Sequence, residues 1–184
     1  MDNGVENYFR FRNGDRNALV EIIRDYRDGM ILFANSIVKD MELSEEIVQE
    51  VFVKLVVKKP KYSGKSSFKT WLYAICRYTA IDFLKRTKKR KELNADAIYS
   101  LSDETDLEKE YIKEEQRVTV HNAMKNLKND YCQVLYLTFF EGFDNTGVAM
   151  IMKKTNRQIE NLVYRAKKAL KSELEKEGFV YEKL

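Results

Sequence analysis

Near the C-terminal end, Thr155-Asn156-Arg157-Gln158 puts a hydroxyl, a guanidinium and two carboxamides on consecutive residues, followed by Asn161, Tyr164, Arg165, Lys167 and Lys168. Asn, Gln and Arg side chains carry the paired donors and acceptors that read base edges, while Lys and later Arg residues suit phosphates. A second group lies between Lys58 and Lys91. There Lys61, Tyr62, Ser63, Lys65, Lys69, Tyr73, Arg77, Tyr78, Lys85 and Arg86 interleave cations with aromatics. Unstacked bases find π-faces and a backbone finds charge in such a surface, so it suits single-stranded nucleic acid. Phe68 and Trp71 belong to the same stretch but read better as core. Tyr73, Lys69 and Arg77 fall off their stripe and are the better contact candidates.

Other chemistries find no support. His121 is the single histidine, and no nucleophile-base pairing, Gly-rich phosphate loop or metal-ligand spacing is visible, so no cofactor or metal is expected and the chain reads as not an enzyme. Cys76 and Cys132 are far apart in apolar runs and read as buried reduced thiols. The charged, polar stretch from Met1 to Arg12 is unlike a signal peptide, and no apolar run approaches the roughly 20 residues needed to span a bilayer. A cytoplasmic location without membrane insertion is expected.

The elements that must hold these groups are helical. In 184 residues there are 7 Gly and one proline, Pro60, while 44% of residues are hydrophobic. So few breakers disfavour an all-β fold and allow long helices around real cores. Charge divides the chain. Lys58 to Lys91 holds 12 Lys+Arg against Asp82 alone, net +11. Glu92 to Gln116 holds 9 Asp+Glu against 2 Lys, net −7, and Lys153 to Lys171 holds 7 Lys+Arg against Glu160, net +6. Two anion-binding surfaces joined by a polyanionic tether account for that alternation.

Periodicity fills in the frame. Asp15 is a plausible cap for a helix carrying Leu19, Ile22, Ile23 and Tyr26; Gly29 interrupts it, and Met30, Phe33, Ala34 and Ile37 resume the period. Ser44 is expected to cap a helix that buries Ile47, Val48, Val51, Phe52 and Leu55. Its opposite face shows Glu45, Glu46, Gln49, Glu50 and Lys54. Pro60, Ser63 and Gly64 punctuate the chain, and Ser66 or Ser67 then caps a helix from Phe68 to about Arg86. Asn94 to Thr105 is the least periodic stretch and reads as linker. Beyond it, helices are expected over Leu107 to Leu127 and Asp130 to Glu141. Asp144 caps a short helix with Val148, Ala149, Ile151 and Met152 inward. After Lys153-Lys154, Thr155 and Gln158 match a capping box for a helix burying Ile159, Leu162, Val163, Ala166 and Leu170. Two helices joined by so short a turn form a helix-turn-helix.

Taken in order, these blocks resemble the bacterial sigma factors of the extracytoplasmic-function (ECF) group, within the sigma-70 superfamily. Ser44 to Leu55 is similar to that family's core-polymerase-binding helix. Phe68 to Ile75 and Ala80 to Arg86 are similar to its minus-ten-recognition helix. Tyr131 to Gly142 and Ile159 to Lys167 are similar to its minus-thirty-five-binding domain. The likeness spans about residues 15 to 175. It implies an all-α chain with region 2 over 1–91, an acidic, flexible linker over 92–110 and region 4 over 111–184.

It also implies partners: core RNA polymerase, promoter DNA and an anti-sigma factor. Glu45, Glu46, Gln49, Glu50 and Lys54 would dock on polymerase. The loop from Pro60 to Ser67 and the helix after it would capture a flipped base of the non-template strand. The linker would lie in the channel that later receives RNA. The family often has a basic residue at Glu160, an acid at Gly147, Gly at Lys153 and Asn at Tyr78. A stand-alone helix-turn-helix regulator is the alternative reading, although it would need neither the Glu/Gln face nor the aromatic-cationic loop. A nucleic-acid-processing enzyme would need acid clusters for metal ions.

Overall fold

The computed structural model describes residues 3–93, 120 and 122–176, and these contain helices and turns without a strand. The first four helices are α1 (Asn3–Arg12), α2 (Arg16–Val38), α3 (Met41–Lys58) and α4 (Phe68–Leu93). α1 arises where the sequence showed only a polar stretch. Tyr8 and Phe11, one turn apart, turn inward against α2, and the Tyr8 hydroxyl donates to the Pro60 carbonyl at 2.6 Å. That bond fastens the α3–α4 loop to the first helix.

Asp15 caps α2 as its spacing predicts, accepting from the Asn17 N–H. α2 then runs unbroken through Gly29, contrary to the expected interruption, because its apolar stripe on both sides of the glycine packs on the same core. Asp40 rather than Ser44 caps α3: its carboxylate accepts from the Leu43 N–H at 2.9 Å. Met41 is buried, so the helix gains just over one turn, and the Ser44 hydroxyl instead donates back to the Asp40 carbonyl. Ser67 caps α4 through the Thr70 N–H at 3.1 Å. That helix continues to Leu93, past the expected end, because Lys and Arg are good helix formers and no Gly or Pro stops them.

In the second half, residues 122–125 are helical, followed by α5 (Asn129–Leu135), a π turn (Tyr136–Phe140), α6 (Asn145–Met152) and α7 (Asn156–Lys176). Asp144 caps α6 through the Gly147 N–H at 2.8 Å. Thr155 and Gln158 close the capping box reciprocally, at 3.2 Å and 2.8 Å. Lys153, at φ 53°, makes the turn between α6 and α7 in a left-handed conformation. The expected regular helix from Asp130 to Glu141 is broken into α5 and the π turn, and Gly142 at φ 69° ends it. The expected linker, and most of the helix expected over Leu107 to Leu127, lie outside the described residues.

α2 packs on α1, α3 and α4, and α7 packs on α5 and α6. The two halves also pack on each other, α6 against α4 and α5 against α2. Their buried side chains form a single continuous cluster from Tyr8 to Ala166.

Candidate functional site

Three surfaces carry the residues singled out above. On α3, Glu46 and Gln49 are exposed, with Glu45 and Glu50 half-buried beside them. Glu45 lies 3.9 Å from Arg27. Glu50 pairs with Lys54 at 2.8 Å and lies 3.7 Å from Arg86 of α4. Lys54 itself turns toward α4, where its ammonium donates to the Thr79 hydroxyl at 3.0 Å. The acidic residues therefore lie on the outer side of α3, while Lys54 braces α3 against α4. These pairs are partly exposed and each adds little to stability. The same outer side carries the exposed valines Val53 and Val57.

The α3–α4 loop presents Lys61, Ser63 and Lys65 to solvent. Tyr62 is not presented with them. It stands edge-on to Phe68 and Trp71, and its hydroxyl donates to the Ser66 carbonyl. Phe68 is fully buried and Trp71 half-buried, in an aromatic group with Tyr8, as the core reading expects.

α4 departs most from expectation. Tyr73 falls off the stripe of Phe68 and Leu72, yet it is 1% exposed, because it faces the second half of the chain. Its hydroxyl donates to Glu141 Oε2 at 2.6 Å, and Phe143 packs edge-on to its ring at 5.1 Å. Burial foremost, and the Glu141 carboxylate next, push the Tyr73 phenol well above its ordinary value, so it remains a donor. The Lys69 ammonium lies 2.9 Å from Glu141 Oε2 and donates to the Glu141 carbonyl at 2.8 Å. Arg77 donates to Gln133 Oε1 at 2.8 Å, and burial pulls its pKa down from the usual guanidinium value. Lys153 places its ammonium 4.4 Å from the centre of the Tyr78 ring. Lys85 and Arg86, further along the helix, are exposed.

α7 holds its candidates in the open. Thr155, Asn156, Arg157, Gln158, Asn161, Tyr164, Arg165, Lys167 and Lys168 are all exposed, Tyr164 by 72%. The inward side is Ile159 and Ala166, with Leu162, Val163 and Leu170 partly buried. The capping box settles the geometry of the first turn, so the amides and guanidinium that follow project from a fixed backbone. Lys167 sits 4.8 Å over the exposed ring of Phe139.

Glu141 and Gly29 are the residues that the sequence reading missed. Glu141 is a lone acid between Phe140 and Gly142, and its side chain is only 12% exposed. Gly29 is a glycine inside a helix, which by itself is less stable there than alanine by about 1 kcal/mol. Both were legible as oddities. Their meeting was not, because they are 112 positions apart. Among the described residues no group of three or more His, Cys, Asp or Glu could hold a metal, and no helix is long and apolar enough to cross a membrane.

Residues 22–90 match the family Sigma-70 region 2. The chain is 30% identical to the RNA polymerase sigma factor SigZ of Bacillus subtilis over 138 residues, 75% of this chain and 76% of that one. It is 29% identical to SigV of the same organism over 159 residues, 86% and 92% of the two chains. Among solved structures, it is similar to the sigma factor RpoE of Bartonella quintana, crystallised with the anti-sigma factor NepR. The TM-score there is 0.66 at 21% identity, covering 84% of this chain and 95% of that one, and the shared property is the fold.

Proposed function

The chain belongs to the ECF group of RNA polymerase sigma factors, and from that membership we propose how its surfaces divide the work. It binds core RNA polymerase, recognises promoter DNA and directs transcription initiation. In our reading Glu45, Glu46, Gln49 and Glu50 dock on a basic element of polymerase, and Lys54 keeps that face in place. Lys61, Ser63, Lys65, Lys69, Tyr73, Arg77, Tyr78, Lys85 and Arg86 receive the melted minus-ten strand, with Tyr62 shaping the loop. Arg157, Asn161 and their neighbours on α7 read the minus-thirty-five duplex. Region 2 covers 1–91 and region 4 covers 111–184, with 92–110 between them.

The observation that carries this reading is the α6–α7 unit. A left-handed three-residue turn and a closed capping box leave the Asn, Arg and Gln side chains exposed on the first turns of the second helix. That is the arrangement by which a helix-turn-helix enters a major groove. The chain supplies no bond-making chemistry; nucleotide addition belongs to the polymerase it joins, and the work is done in the cytoplasm. An anti-sigma factor is a further partner, as the neighbour crystallised with NepR suggests.

Purified core polymerase with a promoter library tests the assignment. Specific transcripts that depend on the chain are expected. Duplex binding that persists without core, with no productive initiation when core is added, would instead indicate a stand-alone regulator.

A further inference from the structure

The loop between α3 and α4 is exposed at its middle and yet fixed at both ends. Lys61, Ser63, Gly64 and Lys65 face solvent. Gly64 turns the chain at φ 71°, and a Cβ built there would meet nothing within 4 Å, so the tip borders open space. On the α4 side, the Tyr62 hydroxyl donates to the Ser66 carbonyl and Ser67 caps the helix. Those ties are local, and they form wherever the loop itself forms.

The tie at the other end comes from a distant part of the sequence. The Tyr8 hydroxyl donates to the Pro60 carbonyl at 2.6 Å, across 52 positions. The Tyr8 ring is fully buried, its centroid 5.5 Å from that of Phe68 and 5.2 Å from that of Trp71. Tyr62 meets the same two rings from the loop, at 5.9 Å and 5.5 Å. One turn further along α1, the Phe11 ring lies 5.6 Å from the Lys59 ammonium, and Lys59 is the left-handed residue that ends α3. α1 therefore grips two consecutive residues where the loop leaves α3.

We propose that Tyr8 is a positioning residue for promoter opening, fixing from α1 the angle at which the loop stands over the start of α4. The proposal rests on the assignment of Pro60 to Ser67 to the melted minus-ten strand. A loop joined to its helix by one left-handed residue can pivot there once its first carbonyl is released. The inner turn held by Tyr62 then moves as a unit, carrying Lys61 and Lys65 off the path of a strand along α4. A loop already held in place incurs no further ordering cost when a base enters it. The bond ends on a backbone carbonyl, so it takes no loop side chain from the strand.

The test uses the full chain in four forms: unaltered, Tyr8→Phe, Ile37→Val, and Lys61→Ala with Lys65→Ala. Tyr8→Phe removes the hydroxyl and keeps the ring. Ile37→Val loosens the core about three turns of α2 beyond Tyr26, the α2 residue that meets Phe68. The double variant tests the loop assignment itself. Each form is assembled with saturating core polymerase on a promoter that the unaltered chain selects from the library. Permanganate reactivity of unpaired thymines reads opening, titration with labelled core reads docking, and urea unfolding reads stability. Acrylamide quenching of Trp71, the one tryptophan in the chain, reads how tightly the ring group is held.

We expect Tyr8→Phe to lower opening by roughly two- to tenfold, the net contribution of one hydrogen bond, with affinity for core unchanged and Trp71 easier to quench. Ile37→Val should unfold at lower urea and open the promoter as well as the unaltered chain does. Unchanged quenching in Tyr8→Phe would overturn the hold on the loop, whatever the loop touches. Unchanged opening in Tyr8→Phe, with the double lysine variant impaired, would overturn the positioning role and leave the loop assignment standing. Equal losses in Tyr8→Phe and Ile37→Val would overturn it as well, since general loosening would then account for both. Opening that survives the loss of both lysines would remove the loop assignment, and the proposal with it.

Discussion

α4 and α7 carry comparable sets of cationic, amide and aromatic groups, yet the two helices stand in opposite conditions. On α7 the polar side faces water and the apolar side meets α5 and α6, so a duplex could approach it directly. On α4 the face between Lys69 and Tyr78 is occupied by another part of the same chain. The difference shows that residue type and spacing do not by themselves mark whether a side chain is open to a partner. A group on α7 is placed by its cap and its own helix. A group on α4 between Lys69 and Arg77 is held by side chains of the second half.

The comparison can be broken most severely at Tyr73. Tyr73→Ala removes a buried ring and strands Glu141, so unfolding by urea should show a loss of about 3–5 kcal/mol, as for other aromatic truncations in a core. Tyr164→Ala on α7 should change the same measurement by no more than about 0.5 kcal/mol, as is usual for exposed positions. A similar loss from both would show that α7 is not the open helix described.

Base reading comes next in size. Arg157→Ala should weaken preference for the upstream duplex by about 1–3 kcal/mol if the guanidinium is bidentate to guanine. Its urea midpoint should stay where it is, because that side chain is exposed. On α3, Gln49→Lys combined with Glu50→Lys should weaken binding to core polymerase while helicity is retained; unchanged affinity in a pull-down titration would count against that face.

Smaller effects sharpen the picture. Thr155→Ala opens the capping box and should cost about 1 kcal/mol of stability, together with looser reading by the residues after it. At high pH the two helices should also diverge. The Tyr73 phenol has a folded value above its ordinary one, so its contribution is complete below the ordinary tyrosine range and is lost as pH rises through the folded value. Burial raises the Tyr8 phenol as well, so tyrosinate absorbance should show more than one late-titrating tyrosine, the latest of which disappears in Tyr73→Phe.

The helical frame was legible because each local signal agreed with the next. Asp15, Asp144 and the Thr155–Gln158 pair sit where caps are expected, and the stripes of α2, α3 and α7 point to the core. Asp40 outcompeted Ser44 because Met41 has a core to enter, which only tertiary packing reveals. α1 was missed for a similar reason: its buried residues are few, and its partner, the Pro60 carbonyl, is 52 positions away from Tyr8. The candidate side chains on α7 were read from type and spacing alone. Those on α4 were read as exposed because a period of 3.6 shows which residues share a face, not how many faces a helix buries. α4 packs on α2 and α3 and again on α6, so Tyr73 is core to a second contact.

The π turn over Tyr136–Phe140 amounts to a helix carrying a residue more than its regular hydrogen bonding needs. Within it the Thr138 hydroxyl oxygen is buried and has no hydrogen-bond partner among the described residues. A π turn takes up such an extra residue locally, so the backbone before and after it keeps the register of a plain α-helix. Deleting one residue there should therefore regularise the helix while the caps and stripes of α6 and α7 stay intact.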